Sequence, residues 1–206
     1  MSDADSQTIR AWTIQPWIVW ERLETRGSLT VDPQFAGNLH ECYEWLRGQL
    51  LQRIPGYSGH YPWWAYRTRP DLRRARHTRC RDQRFVLIEM ELPREQVLEF
   101  PFWAWDCIFY GRFLSTNQRE SADWERRLRE AVPDEDTNPL PEPWLSELRS
   151  SWLRLFDSEL PTQGWLSGSA LPQSDREVVL EVLDRRFVRR VTPFLGARSP
   201  KNCEAL

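Results

Sequence analysis

The chain has 206 residues, of which 40% are hydrophobic and 28% charged, and its formal net charge is -2. This composition is typical of a globular domain with its own core, and it excludes a collagen-like or wholly disordered chain. No apolar run approaches the roughly 20 residues that cross a bilayer, and the acidic, polar start lacks the pattern of a secretory signal. We therefore expect a cytoplasmic protein without a membrane segment.

The first predicted elements are a strand and two helices. Ile9 to Gln15 is rich in β-branched and aromatic residues and predicts a strand. Pro16 suits the first turn of a helix, and Gly27 can take the left-handed conformation that ends one. Apolar residues then recur at the three- and four-residue spacing of a second helix: Leu39, Cys42, Tyr43, Leu46 and Leu50.

The rest of the chain continues this mixture of strands and helices. In the strand from Phe85 to Leu92, the apolar Ile88 and Met90 alternate with Glu89 and Glu91, which predicts one buried and one exposed face. The other predicted elements are strands at Trp63 to Tyr66, Val97 to Phe100, Glu177 to Leu183 and Phe187 to Phe194, and helices at Phe102 to Tyr110, Ser121 to Ala131 and Leu145 to Leu155.

These elements predict an α+β fold in a single domain, with a small mixed or antiparallel sheet and several packed helices. We place the domain at residues 9–197, between a disordered N-terminal tail at 1–8 and a C-terminal tail at 198–206. The loop from Pro161 to Ser174 is rich in glycine and serine. The sequence does not determine the oligomeric state.

The four cysteines have no compact pairing pattern, so we expect thiols. His40, Cys42, His77 and Cys80 match the ligand count of a structural zinc site, but their spacing is not that of a zinc clasp. We predict no metal site.

The segment from Arg67 to Arg84 is the strongest electrostatic feature. It holds eight arginines against Asp71 and Asp82, an excess of six positive charges, and it follows several aromatic residues. Such a surface suits the phosphates of single-stranded nucleic acid, or the pyrophosphate of a dinucleotide. A solvated loop, balanced by acidic stretches such as residues 134–136, explains the same composition.

Seven short motifs occur in order along the chain. They are Trp12-Thr13-Ile14-Gln15-Pro16 with Trp20 and Gly27, Tyr43-Glu44-Trp45, Pro62-Trp63-Trp64-Ala65, Pro70-Asp71-Leu72-Arg73, Val86 to Glu89, Trp152 with Phe156-Asp157, and Val188 to Phe194. Together they resemble the bacterial family catalogued as domain of unknown function 3841. The resemblance spans nearly the whole chain and implies a single domain.

The order of elements is also similar to the layout of ADP-ribosyltransferase-like folds. That resemblance implies NAD as a substrate and Glu177 as the carboxylate that orients the ribose, with Glu181 as the alternate. It implies a nicotinamide-stacking residue among Tyr61, Trp63, Trp64 and Tyr66, a cation at Arg10, polar contacts from Thr13 and Gln15, and a phosphate contact from Arg73. A carboxylate and a flat ring suit this chemistry because the transition state carries positive charge on the ribose.

Two functional hypotheses remain. One is an ADP-ribosyltransferase-like protein that binds a nicotinamide dinucleotide. The other is a non-enzymatic binding module that uses the arginine and aromatic residues for nucleic acid or a protein partner. The transferase hypothesis requires Glu177, Arg10 or Gln15, and the aromatics of Tyr61 to Tyr66 to meet in one cleft. It fails if Glu177 points to solvent more than about 15 Å from Thr13, beyond direct contact with one bound ribose.

Overall fold

The computed structural model describes residues 7–32, 34, 40–75, 79–132, 140–157, 160 and 176–197. It divides into two compact units, Met1–Glu99 with Arg176–Leu206, and Phe100–Asp175. The predicted single domain at 9–197 and the predicted tails stay predictions, and the predicted loop from Pro161 to Ser174 lies outside the described residues.

Two sheets contain the strands. The small sheet pairs β2 (Ser28–Leu29) with β7 (Leu183–Asp184). The large sheet contains β1 (Thr8–Pro16), β3 (Trp63–Tyr66), β4 (Arg84–Pro93), β5 (Val97–Pro101), β6 (Arg176–Leu180) and β8 (Val188–Leu195). Its strand order is β5-β6-β3-β1-β4-β8, and every pair with a defined register is antiparallel. The predicted mixture of helices with an antiparallel sheet is confirmed.

The first unit also contains α1 (Trp17–Arg26), α2 (His40–Arg53) and α3 (Leu72–Ala75). Helix α1 begins directly after Pro16, which is the last residue of β1 rather than part of the first helical turn as predicted. It ends at Gly27, whose φ of 79° lies in the left-handed region and whose backbone N–H donates to the Leu23 carbonyl at 2.9 Å. Proline and glycine therefore set the two ends of this helix.

One face of the large sheet is the core of the first unit, and we call it the core face. It packs against Trp20 and Leu23 of α1. Its buried strand residues are Ile9, Ala11, Ala65, Val86, Ile88, Met90, Leu92, Val178 and Leu180. Burying a large apolar side chain contributes roughly 1.5–3 kcal/mol, so this face carries much of the stability of the unit.

The second unit contains α4 (Phe102–Phe109), α5 (Gln118–Ala131) and α6 (Trp144–Trp152). Helix α5 begins three residues before the predicted Ser121, because the Asn117 side chain caps it by accepting the Glu120 backbone N–H at 2.9 Å. The ring of Trp124 stacks on Phe113 with centroids 4.9 Å apart. Within the described part of the chain, no helix has the length and apolarity needed to span a membrane.

Candidate functional site

Four side chains form a line across the large sheet, and we call them the carboxylate-aromatic row. Trp12 on β1 lies opposite Glu89 on β4 and opposite Tyr66 on β3. Tyr66 in turn lies opposite Glu177 on β6. Directly opposed residues of antiparallel strands share a face, so all four lie on the face away from the core face. Two carboxylates thus flank two aromatic rings.

The spacing of the row suits a ligand of nucleotide size. Neighbouring strands lie about 4.8 Å apart, which places the Cα atoms of Trp12 and Glu177 about 10 Å apart. Tyr66 is 38% exposed, whereas Trp12 is buried and Glu177 is half-buried. The row is therefore open to solvent at Tyr66. Glu177 is half-buried and lies two strands from Trp12, the neighbour of Thr13, so it is not the remote, solvent-directed carboxylate that would be excluded from catalysis.

Helix α2 covers part of this face through Tyr43. The Tyr43 ring meets the Trp64 ring edge to face, with centroids 6.1 Å apart. Burial raises the pKa of Tyr43, and the nearby Cys42 and the carboxylate of Glu177 raise it further. The Tyr43 hydroxyl is consequently protonated at neutral pH and remains a hydrogen-bond donor close to Glu177.

The indole N–H of Trp12 is buried and has no acceptor among the described residues. Leaving a buried donor without an acceptor costs about 1–3 kcal/mol. Native structures avoid this cost in most places, so such a group calls for a specific explanation. An acceptor atom of a ligand would remove the cost at Trp12.

Arg10 shares a face with Trp12, two residues away on β1, and its Nε atom lies 3.6 Å from Oε1 of Glu89. The Arg10 side chain is 67% exposed. An exposed ion pair of this kind contributes about 0–1 kcal/mol. Arg10 can therefore exchange Glu89 for an anionic ligand at small cost.

The structure places Thr13, Gln15 and Trp63 on the core face, away from the row. The Thr13 hydroxyl donates to the Trp64 carbonyl at 2.8 Å and accepts from the Gln15 amide at 2.7 Å. The indole of Trp63 donates to the Leu29 carbonyl at 2.9 Å. These three polar groups hold strands and turns together, and the structure does not bring them to Glu177.

Tyr61 is bound to α2. Its hydroxyl donates to the carboxylate of Glu44, which also pairs with Arg47 at 2.5 Å. Burial, followed by the interaction with Glu44, raises the pKa of Tyr61 to about 12. Tyr61 thus fastens the segment before β3 to α2.

Glu181 holds the turn that follows α2. Its carboxylate accepts the backbone N–H groups of Ser58, at 2.8 and 2.9 Å, and of His60, at 3.0 Å. It also lines a cavity of about 300 Å³ together with Tyr57 and Arg186. Because both oxygens accept backbone N–H groups, Glu181 has a structural role in holding this turn.

Described arginines of the segment from Arg67 to Arg84 contact different neighbours. Arg73 forms an ion pair with Asp71 at 3.0 Å and is 92% exposed. The guanidinium of Arg84 lies over the Trp17 ring, 4.2 Å from its centroid. Arg76 lies outside the described residues. The excess charge of this segment is therefore distributed over several neighbours.

Arg67 is the arginine of this segment nearest to the row. It follows Tyr66, and its backbone N–H donates to the Arg176 carbonyl at 2.9 Å. Its guanidinium lies 3.1 Å from Glu99, which also pairs with Arg94 at 3.2 Å and with Arg176 at 3.9 Å. Three arginines thus surround one carboxylate.

Within the described residues, no three histidine, cysteine or acidic side chains are arranged to hold a metal ion.

Cys80 is disulfide-bonded, which corrects the expectation of four thiols. The spacing of the cysteines along the sequence does not show which of them lie close together in the fold. Cys42 and Cys107 are buried thiols, and burial raises the pKa of Cys107 to about 12, so it is unreactive at neutral pH. His77 lies outside the described residues.

The sequence did not reveal Trp12 and Tyr43 as members of the site, and the alternation along β4 predicted only an exposed face for Glu89. The sequence does contain a pattern that places Trp12 on the same face as Arg10. Side chains alternate along a strand, so Arg10 and Trp12 share one face of β1, and Thr13 and Gln15 share the other. One bound ligand could not contact all four.

The family model described as "Domain of unknown function (DUF3841)" matches residues 10–177. A search of curated proteins and a search of solved structures each found no match. The matched segment covers most of the chain and runs from Arg10 on β1 to Glu177 on β6, so it includes the whole carboxylate-aromatic row. The chain therefore belongs to the DUF3841 family.

Proposed function

We propose that the carboxylate-aromatic row binds a nicotinamide dinucleotide and that the protein acts as an ADP-ribosyltransferase-like enzyme. The observation that carries the proposal is that Glu177, Tyr66 and Arg10 lie on one face of three adjacent strands. These are the residue types that the reaction requires: a carboxylate, an aromatic ring and a cation.

In the proposed reaction the bond between the nicotinamide nitrogen and C1′ of the ribose breaks. The electron pair stays with the nicotinamide, which leaves as a neutral molecule, and positive charge develops at C1′. The carboxylate of Glu177 stabilises this charge. A hydroxyl or amine of the acceptor, or water in its absence, forms the new bond to C1′ and releases a proton. A single well-placed electrostatic group of this kind contributes about 10²- to 10³-fold in rate.

The neighbouring residues position the substrate. Tyr66 is exposed enough to stack on a base or on the nicotinamide ring. Arg10 leaves Glu89 for a phosphate oxygen, since its present ion pair is weak. The Trp12 indole N–H, without an acceptor among the described side chains, lies in the same row and suits a carbonyl or phosphate oxygen.

The test uses the full chain and measures both NAD binding, by calorimetry, and nicotinamide release. We expect Glu177→Gln to retain binding and to lose nicotinamide release by 100-fold or more. Tyr66→Ala should weaken binding about tenfold, because stacking on an aromatic side chain contributes about 1–3 kcal/mol per base. Glu95→Gln is the matched control, since Glu95 is an exposed glutamate of the same unit outside the row. Absence of NAD binding, or equal release by native protein and Glu177→Gln, contradicts the proposal.

A second candidate function is favoured by the arginines that follow the row. Arg67, Arg94 and Arg176 surround Glu99 beside the exposed Tyr66, which suits a single-stranded nucleic acid. This reading predicts oligonucleotide binding that weakens steeply as salt rises. Binding that is absent, or insensitive to salt, eliminates it.

A further inference from the structure

An open depression of about 690 Å³ lies beside the C-terminal end of α1, and we call it the arginine basin. Four arginines line it: Arg26, Arg185, Arg186 and Arg189. They come from three separate elements of the first unit, the last turn of α1, the turn after β7, and β8. Local sequence alone therefore does not bring them together.

The turn that carries two of these arginines is anchored. The backbone N–H of Arg185 donates to the Gly27 carbonyl at 2.8 Å, and Asp184 pairs with Ser28 in the small sheet. Asp184 is buried and accepts the Arg186 backbone N–H at 2.8 Å. The basin is consequently attached to both strands of the small sheet.

Three of the guanidinium groups are held in place. Arg186 bonds to Asp184 through two nitrogens, at 2.9 and 2.7 Å. Arg185 lies over the ring of the buried Trp20, 5.3 Å from its centroid. Arg189 donates to Glu91 at 2.8 Å. Side chains that are already ordered lose less conformational entropy when a ligand binds.

The charges of the basin do not balance. Asp184 and Glu91 offset two of its four arginines, and neither Arg26 nor Arg185 has a carboxylate partner among the described residues. Two positive charges remain. The helix dipole favours a cation in the last turn of α1 by about 0.3–1 kcal/mol, which accounts for Arg26 alone. Arg185 lies over Trp20, but no carboxylate among the described residues offsets its charge.

The chemistry of the lining selects the class of ligand. Planar guanidinium groups match phosphate oxygens with paired hydrogen bonds, and two excess charges match a phosphate dianion. Trp20 is buried beneath Arg185, and Phe187 lies under Arg186 at 5.5 Å, so these two rings offer no free face for stacking a base. Phosphate, rather than a base, is the group that this surface can recognise.

We propose that the arginine basin binds the phosphate or pyrophosphate group of a small phosphorylated molecule. The basin contains none of the residues assigned to the nicotinamide dinucleotide, so the two proposals can fail separately. A bound phosphate would join α1, the turn after β7 and β8 through charge-assisted hydrogen bonds.

The test is calorimetric titration of the full chain with inorganic pyrophosphate at an ionic strength below about 0.1 M, where screening is limited. The double variant Arg26→Gln/Arg185→Gln should bind at least tenfold more weakly than the native protein. The double variant Arg119→Gln/Arg129→Gln removes the same charge from exposed positions on α5 and should stay within twofold. Equal binding by the native protein and the basin variant, or equal weakening in both variants, overturns the proposal.

A second series of titrations identifies the source of the phosphate. A nucleoside diphosphate that binds as well as pyrophosphate, or better, while the free nucleoside does not bind, supports the proposal. A single-stranded oligonucleotide that binds much more tightly than either, with the loss confined to the basin variant, overturns it in favour of a nucleic-acid backbone.

Discussion

The two faces of the six-stranded sheet have different chemistry although they share the same strands. On the core face the polar Thr13 is 2% exposed, and its hydroxyl is fully engaged with Trp64 and Gln15. On the opposite face, Trp12 has a buried N–H without an acceptor among the described residues, and Tyr66 is exposed. The hydroxyl of Thr13 is thus satisfied on the core face, whereas no described residue accepts from the buried N–H of Trp12 on the other.

This difference separates the residues that stabilise the fold from those proposed to bind a ligand. Trp12 and Thr13 are neighbours on β1, yet the first belongs to the row and the second to the core face. Substitutions on the core face should therefore act on stability. Substitutions in the row should act mainly on binding.

The largest effect is expected from Leu23→Ala on α1, which removes a completely buried side chain from the core face. The cavity should lower the free energy of unfolding by about 2–5 kcal/mol. Denaturant unfolding followed by tryptophan fluorescence measures it. The control on the same helix is Ile18→Ala, since Ile18 is 50% exposed and its loss should cost less than about 0.5 kcal/mol. Similar losses for both variants would show that α1 does not pack as described.

Thr13→Val should lower the free energy of unfolding by about 1–3 kcal/mol, because it removes the buried hydroxyl that donates to the carbonyl of the half-buried Trp64. Thr13→Ser retains the hydroxyl and should recover most of the loss. Thermal unfolding of the three proteins measures the difference. A Thr13→Val protein as stable as the native one would indicate that this hydrogen bond contributes little, and the contrast between the faces would weaken.

Acid should reveal the contribution of Asp184. The side-chain hydrogen bond from Arg186 is the main cause that holds the pKa of Asp184 below its usual value, although burial opposes it. Since the folded pKa is the lower one, the stability from this carboxylate is complete above the unfolded pKa of about 3.9 and is lost as pH falls through the folded pKa. The stability difference between native protein and Asp184→Asn should therefore shrink below about pH 4. A difference that stays constant across this range contradicts the assignment.

The smallest effect on stability is expected from Glu89→Gln in the row. Among the contacts of the described residues it breaks the ion pair with the exposed Arg10, so the free energy of unfolding should change by less than about 1 kcal/mol. Binding of NAD should become tighter, because Arg10 no longer has a competing carboxylate. A loss of stability above about 2 kcal/mol would place Glu89 with the core residues.

Much of the local structure could be predicted from the sequence. Pro16 and Gly27 set the ends of α1, and the alternation around Ile88 and Met90 set the two faces of β4. These features depend on residues close together in the chain, where proline, glycine and strand periodicity act directly.

The composition of the site could not be predicted in the same way. The strand order inserts β3 between β1 and β6, and only that order sets Tyr66 beside Glu177. The partner of Thr13 lies 51 residues away, and no local pattern identifies it. The alternation of side chains along β1 could have shown that Thr13 and Arg10 lie on opposite faces of the sheet. The row itself depends on the pairing of strands that are far apart in the sequence.

The register of β1 against β4 has a consequence for engineering. Nine consecutive pairs join these strands, from Thr8 with Pro93 to Pro16 with Phe85. Removing a single residue from β1 ahead of Trp12 would exchange the two faces, directing the indole into the apolar core and the Thr13 hydroxyl to the opposite face. Insertions or deletions of two residues in β1 should therefore keep each side chain on its face of the sheet, whereas those of one residue should move it to the other face.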